Sequence, residues 1–166
     1  GVLTSLGEAL SSGETFRDWR TRVAEGAVPL NLPVHRLENI FRTNLQGAYM
    51  RGIYERQAKV TDQRPMLMYD AINDSRTRPA HAAMDNYIAP ATDPIWRTHR
   101  PPLGYRCRCT LISLTEEQAK ARGWGTRERP TVQPDEGWDY DKRRGIGPGV
   151  ARSARRAGAK APKALA

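Results

Sequence analysis

The chain has 166 residues, a mass of 18.6 kDa and a net charge of +9, with 39% hydrophobic residues, 27% charged residues and a mean hydropathy of −0.69. That length supports one domain with a modest core rather than two full ones. No run of about eighteen apolar residues is present, which excludes a membrane-spanning helix, and two cysteines are too few for a disulfide-rich secreted scaffold.

No charged n-region with an apolar h-region follows Gly1, so no signal peptide is expected, and the missing Met reads as a trimmed chain. From Val2 to Leu10, Leu3, Leu6, Ala9 and Leu10 share one helical face, and Ser11-Ser12-Gly13 ends the pattern. A second short helix carries Phe16, Trp19 and Val23, and Gly26 and Pro29 break it. From Pro33 to about Lys59, Leu37, Ile40, Phe41, Leu45, Ala48, Gly52 and Ile53 recur at three- and four-residue spacing. This spacing predicts a long amphipathic helix, with Pro33 in its first turn, where a missing N–H costs nothing.

Beyond Pro65, the apolar run Met66 to Ile72 predicts a strand, and Pro79 to Asp85 a short helix that presents His81. Asn86 to Tyr105 contains Pro90, Pro94, Pro101 and Pro102 and is expected to be an ordered but irregular loop. Arg106 to Leu114 alternates and is rich in β-formers, which predicts a second strand antiparallel to the first. Thr115-Glu116-Glu117-Gln118 matches a capping box that starts a helix stopped by Gly123. Past Thr126 apolar periodicity fades, and from Gly145 onward Gly, Pro, Ala and Arg dominate, so no packed core is expected there.

Residues 141–166 hold eight bases (Lys142, Arg143, Arg144, Arg152, Arg155, Arg156, Lys160 and Lys163) against one acid, and the rest of the chain is nearly neutral. This asymmetry points to a polyanion-contacting arm on a neutral domain. The expected class is α+β. N-terminal helices, one of them long and amphipathic, precede a small antiparallel sheet with short helices and irregular loops, and a flexible basic C-terminal tail ends the chain. The expected division is 1–32 for the short helices, 33–125 for the core and 126–166 for the tail.

Both cysteines and two of the three histidines lie between positions 81 and 109. On a strand, residues two apart share a face, so Cys107 and Cys109 converge while Arg106 and Arg108 point away. With His81 and His99 they make a four-membered set of the type that binds zinc, which can clip a loop short of apolar surface. The same residues also suit a buried pair of free thiols, with both imidazoles hydrogen-bonded to nearby carbonyls. Asp74 is then a turn and salt-bridge residue paired with Arg76 or Arg78, and Trp96, Trp124 and Trp138 anchor loops to the core. His35 reads as a surface or capping residue, and Arg42-Thr43-Asn44 as a solvated face or a partner-facing patch. The catalytic alternative is a metal-dependent nucleic-acid hydrolase or toxin-like enzyme using Asp74, His81, His99 and the cysteines. No nucleophile elbow, P-loop or His-Glu-x-x-His helix supports it, and clustered carboxylates for Mg²⁺ are few. A third reading is a zinc-stabilised DNA-binding module.

Arg42-Thr43-Asn44 with Ala48-Tyr49, Tyr69-Asp70-Ala71, and Asp74-Ser75-Arg76-Thr77-Arg78-Pro79-x-His81 follow one another in an order that resembles the Mu-like phage F minor head protein family. So do Asp93-Pro94-x-Trp96-x-x-His99-x-Pro101-Pro102, Cys107-Arg108-Cys109 and, later, Gly137-Trp138-Asp139-Tyr140; the resemblance spans roughly 37–124. This chain has Asn86 where the family usually has Gly, and Leu103-Gly104 where Asn often precedes the Gly. Thr77 and Ala80 stand where some members carry cysteines, which leaves His81 as the partner of Cys107 and Cys109. The resemblance implies a non-enzymatic virion component of a tailed phage or prophage, at the head interior or portal vertex and in the host cytoplasm during assembly. Its implied partners are portal, capsid and scaffold proteins, and its implied role is head morphogenesis or DNA packaging. The basic tail suits non-sequence-specific contact with packaged double-stranded DNA. No membrane partner is expected.

Overall fold

A computed structural model describes residues 2–25 and 32–142. Two short helices open it, α1 (Val2–Ser12) and α2 (Phe16–Glu25). Gly13, at φ +71°, supplies the left-handed turn between them. Thr15 caps α2: its hydroxyl accepts from the Asp18 N–H at 3.3 Å and donates to the Asp18 carboxylate at 2.6 Å. Trp19 is fully buried here, its ring 5.4 Å from that of Phe41 and 6.3 Å from that of Phe16. Leu6, Ala9, Leu37 and Phe41 complete this N-terminal cluster.

The long helix, α3 (Val34–Lys59), has Pro33 as its N-cap rather than inside its first turn. Only the first part of the expected stripe faces inward. Leu37 and Phe41 are buried, but Leu45, Ala48 and Tyr49 are exposed, and Thr43, Met50 and Gln57 are buried instead. The reason is the helix's neighbour. The second half of α3 lies along the open edge of a sheet, where backbone carbonyls need donors more than apolar cover.

The sheet has three strands in the order β2-β1-β3, all antiparallel: β1 (Met66–Asp70), β2 (Ile88–Pro90) and β3 (Thr110–Leu114). Met66 pairs with Leu114 and Pro90, and Met68 with Ile112 and Ile88. Central β1 is covered on both faces, which is why its sequence is a continuous apolar run rather than an alternation. Leu67 and Tyr69 join Ala89, Leu111, Trp96 and Leu103 in the main core. Met66 and Met68 face the other way, onto Ile88, Leu114 and Ala119. Ala119 belongs to α5 (Glu116–Ala121), whose capping box forms as expected between Thr115 and Gln118.

The proline-rich stretch is less irregular than expected: it contains β2, with Pro90 at the end of an edge strand, and a 3₁₀ helix at Pro94–Arg97. Asp93 caps the latter by accepting from the Ile95 N–H at 2.8 Å. Trp96 anchors the stretch, 1% exposed, its indole N–H donating to the Pro90 carbonyl at 2.9 Å. Pro101-Pro102 is a cis peptide. β3 begins at Thr110, so Cys107 and Cys109 lie on the turn that precedes it and not on the strand, as their spacing had suggested.

Residues 126–142 have no regular elements, yet they run back over the core. The Asp135 N–H donates to the Leu103 carbonyl at 2.8 Å, Arg129 grips the Asp93 carboxylate at 2.7 Å, and the Trp138 ring stacks edge-on to Tyr105 at 5.4 Å. Lys142 is buried, its ammonium donating to the Thr98 and Trp138 carbonyls, and burial brings it down to about 8. It is therefore absorbed into the fold and not presented to a polyanion. Arg143, Arg144, Arg152, Arg155, Arg156, Lys160 and Lys163 lie outside the described residues.

Candidate functional site

A cleft of about 800 Å³ opens between the first half of α3 and the segments 72–78 and 105–109. One wall is helical: His35, Glu38, Arg42, Leu45 and Gln46 project from successive turns of α3. The facing wall is built by turn chemistry. Asn73 sits at φ +58°, a left-handed conformation that Asn tolerates. The Asp74 carboxylate then accepts from the Arg76 N–H at 3.0 Å. Two-pronged contacts of 2.6 and 2.8 Å tie Asp74 to Arg108, which holds its carboxyl well below the usual carboxylate range. Arg76 is a weaker partner at 3.3 Å, and Arg78 turns instead to Asp135 at 3.4 Å and to the Tyr105 carbonyl at 2.9 Å.

Arg106 adopts φ +55°. Thr43 explains how that turn is held: its hydroxyl accepts from the Arg106 N–H at 3.4 Å, while the Arg106 side chain reaches Glu38 at 3.2 Å. Of the Arg42-Thr43-Asn44 triplet, Arg42 thus lines the cleft, Thr43 is buried against the turn, and Asn44 donates to the Ile40 carbonyl at 2.8 Å. Five arginines on the cleft share three carboxylates, Glu38, Asp74 and Asp135, and leave a positive surplus at the rim.

At the floor lie His81, Cys107 and Cys109, each buried. His81 sits on the short helix α4 (Pro79–Met84), and both cysteines sit on the turn before β3. Their ligand atoms lie within 4.8 Å of one another, with Cys109 Sγ 3.6 Å from His81 Nδ1. The Cys109 thiol donates to Cys107 and brings it down to about 7, and the same contact, with burial, pushes Cys109 up. The donor set, two sulfurs and one imidazole, suits a soft divalent cation such as zinc.

His99 is not part of this group. Its Nδ1 contacts the Thr98 hydroxyl and its Nε2 the Val132 carbonyl, both at 2.8 Å, so it pins residue 132 to the core. Nor is Asp74 directed at the cluster, since Arg108 and Arg76 take it up. Sequence reasoning missed the glutamines of α3. Gln46, Gln57 and Arg64 donate to the carbonyls of Cys109, Leu111 and Ser113, every second residue along the open edge that leads into and along β3. Two polar residues within an otherwise helical pattern were the available signal.

The family model described as "Phage Mu protein F like protein" matches residues 1–112, which takes in the whole cleft and its floor. The chain belongs to this family. The match includes α1 and α2, which lie ahead of the motif-bearing segment. Among relatives of this F-like chain, the "Mu-like prophage FluMu F protein" of Haemophilus influenzae is 43% identical over 88 residues, covering 53% of this chain and 21% of that protein. The "Putative capsid assembly protein F" of Escherichia phage Mu is 35% identical over 108 residues, covering 63% of this chain and 25% of that protein. The F-like chain thus spans a quarter or less of the curated relatives it matches. No solved structure matches it significantly.

Proposed function

We propose that this F-like chain is a minor component of a tailed-phage or prophage head. In this reading it works in head morphogenesis by docking on portal or capsid proteins, and its role is contact rather than catalysis. The observation that carries the reading is the 35% identity, over 108 residues, to a phage Mu protein named for capsid assembly. The surface chemistry supports it. Leu45, Ile72 and Tyr105 are about half exposed on a cleft whose rim carries surplus arginine charge. Apolar side chains flanked by guanidiniums favour a protein partner with an acidic, partly apolar segment. The seven bases of residues 143–166, with no acid among them, add a means of holding DNA backbone.

The test is the composition of particles purified from cells producing the phage. The chain is expected in proheads or heads at a low, fixed copy number, and a charge-reversed cleft (Arg42→Glu with Arg106→Glu) is expected to lower its incorporation severalfold. Absence of the chain from both proheads and finished heads overturns the reading.

A further inference from the structure

The floor of the cleft carries a distinct chemistry that a docking role does not use. Zinc binds thiolate sulfur at about 2.3 Å and imidazole nitrogen at about 2.0–2.1 Å, so two tetrahedral ligands of these kinds lie about 3.6 Å apart. Cys109 Sγ and His81 Nδ1 are separated by 3.6 Å, and Cys107 Sγ lies within 4.8 Å of both. The three side chains come from two separate segments, α4 and the turn before β3, and all three are at most 4% exposed. They nevertheless belong to the lining of the open cleft, and among the described residues no fourth His, Cys, Asp or Glu joins them.

We propose that His81, Cys107 and Cys109 form a three-ligand site for a zinc-class divalent cation, with the fourth coordination position open to the arginine-lined cleft. The metal ties α4 to the turn at 105–109, adding to the contacts that already hold that turn, among them Thr43 with Arg106, Gln46 on the Cys109 carbonyl and Arg78 on the Tyr105 carbonyl. Arg78 Nε lies 3.4 Å from His81 Nε2. That long contact belongs to the metal-free ring, because a ring bound through Nδ1 carries its proton on Nε2. Arg78 therefore yields on loading. His99 has both ring nitrogens occupied and takes no part. Closed structural zinc centres use four protein ligands, whereas a three-ligand set leaves the fourth position to solvent or another small ligand. A solvent ligand is thus expected in the fourth position, replaceable by a small imidazole or thiol.

Cobalt(II) titration of the purified, metal-stripped full chain tests the site directly. One equivalent is expected to give a sulfur-to-cobalt charge-transfer band and the intense visible bands of four-coordinate cobalt, and zinc is expected to bleach both. Cys107→Ser and Cys109→Ser should each remove part of the charge-transfer intensity. His81→Ala should weaken binding by about tenfold or more, the least expected for losing a direct ligand, and His99→Ala should leave it unchanged. Added imidazole should shift the visible bands. Circular dichroism identifies a cysteine variant that fails to fold, and a measurement on the unaltered chain then decides: zinc must protect both thiols from a disulfide reagent. No saturable binding at one equivalent, weak octahedral bands, a spectrum indifferent to both serine variants, or thiols equally reactive with and without zinc overturns the assignment. Visible bands that ignore imidazole overturn the open position.

Discussion

Asp74 and Arg108 meet through two short contacts across 34 residues of sequence, both side chains about one-third exposed. The guanidinium holds the Asp74 carboxyl below its unfolded value, so the folded state binds fewer protons than the unfolded state at acid pH. The stabilisation is complete above the unfolded value near about 4 and is lost as pH falls toward the folded one. Asp74→Asn is therefore expected to lower stability at neutral pH, and only slightly, because the exposed pair is screened by solvent. Between about pH 4 and 2 it should also flatten the fall in urea midpoint relative to the unaltered chain. Equal slopes for the two proteins would show that the pair contributes nothing to acid sensitivity. Asp74 was readable as a turn residue from its neighbours, and Arg76 does bind it. Its stronger partner was not readable, because no local spacing links positions 74 and 108. Asn86 shows the opposite case. It stands where the family resemblance expects glycine, and at φ +58° it occupies a backbone region that glycine enters freely and Asn tolerates.

Among the elements, the helices were the most legible, since caps and breakers act over three or four residues: Gly13, and Thr115 with Gln118, both behave locally. β2 was hidden, because three residues ending in Pro90 give no periodic signal. The inward face of α3 was half hidden. Its first turns pack on Trp19 and follow an apolar stripe, while its last turns serve β3 and follow hydrogen-bonding needs. The carbonyls of Leu111 and Ser113, together with Cys109 just ahead of β3, would otherwise form an open sheet edge. Gln57 is the buried member of this set, 9% exposed, donating to Leu111 at 2.9 Å. Gln57→Leu keeps the volume and removes the donor, leaving a buried carbonyl unpaired. The expected cost is about 1–3 kcal/mol in urea denaturation. Gln46→Leu, at a half-buried position, should cost less. An unchanged midpoint for Gln57→Leu would mean that water reaches the Leu111 carbonyl.

For the whole molecule, α3 links two separate cores, the N-terminal aromatic cluster and the cluster of the sheet with its loops, to which it contributes Tyr54. The order of elements was legible from the sequence. Which residues beyond 126 fold back was not, because Val132, Asp135 and Lys142 are held by carbonyls and a histidine at distant positions. Charge patterning nevertheless separates the chain at this scale. Lys142 is held inside the fold, so the DNA contact proposed above would draw on the seven bases of residues 143–166. Each phosphate neutralised on duplex DNA contributes about 0.9 to the salt slope of binding, so full engagement of these bases gives a slope of about −6 and a loss of about four decades between 50 and 200 mM salt. A chain ending at Lys142 is therefore expected to lose most of its affinity for a random duplex and most of that slope. Because the folded contacts of residues 126–142 are kept, its urea midpoint should not move. The full chain should bind unrelated duplexes equally, since phosphate contacts carry no base information. If the shortened chain keeps the same affinity and slope, the DNA-contacting charge lies on the folded surface, and the arginines of the cleft rim become the residues to test.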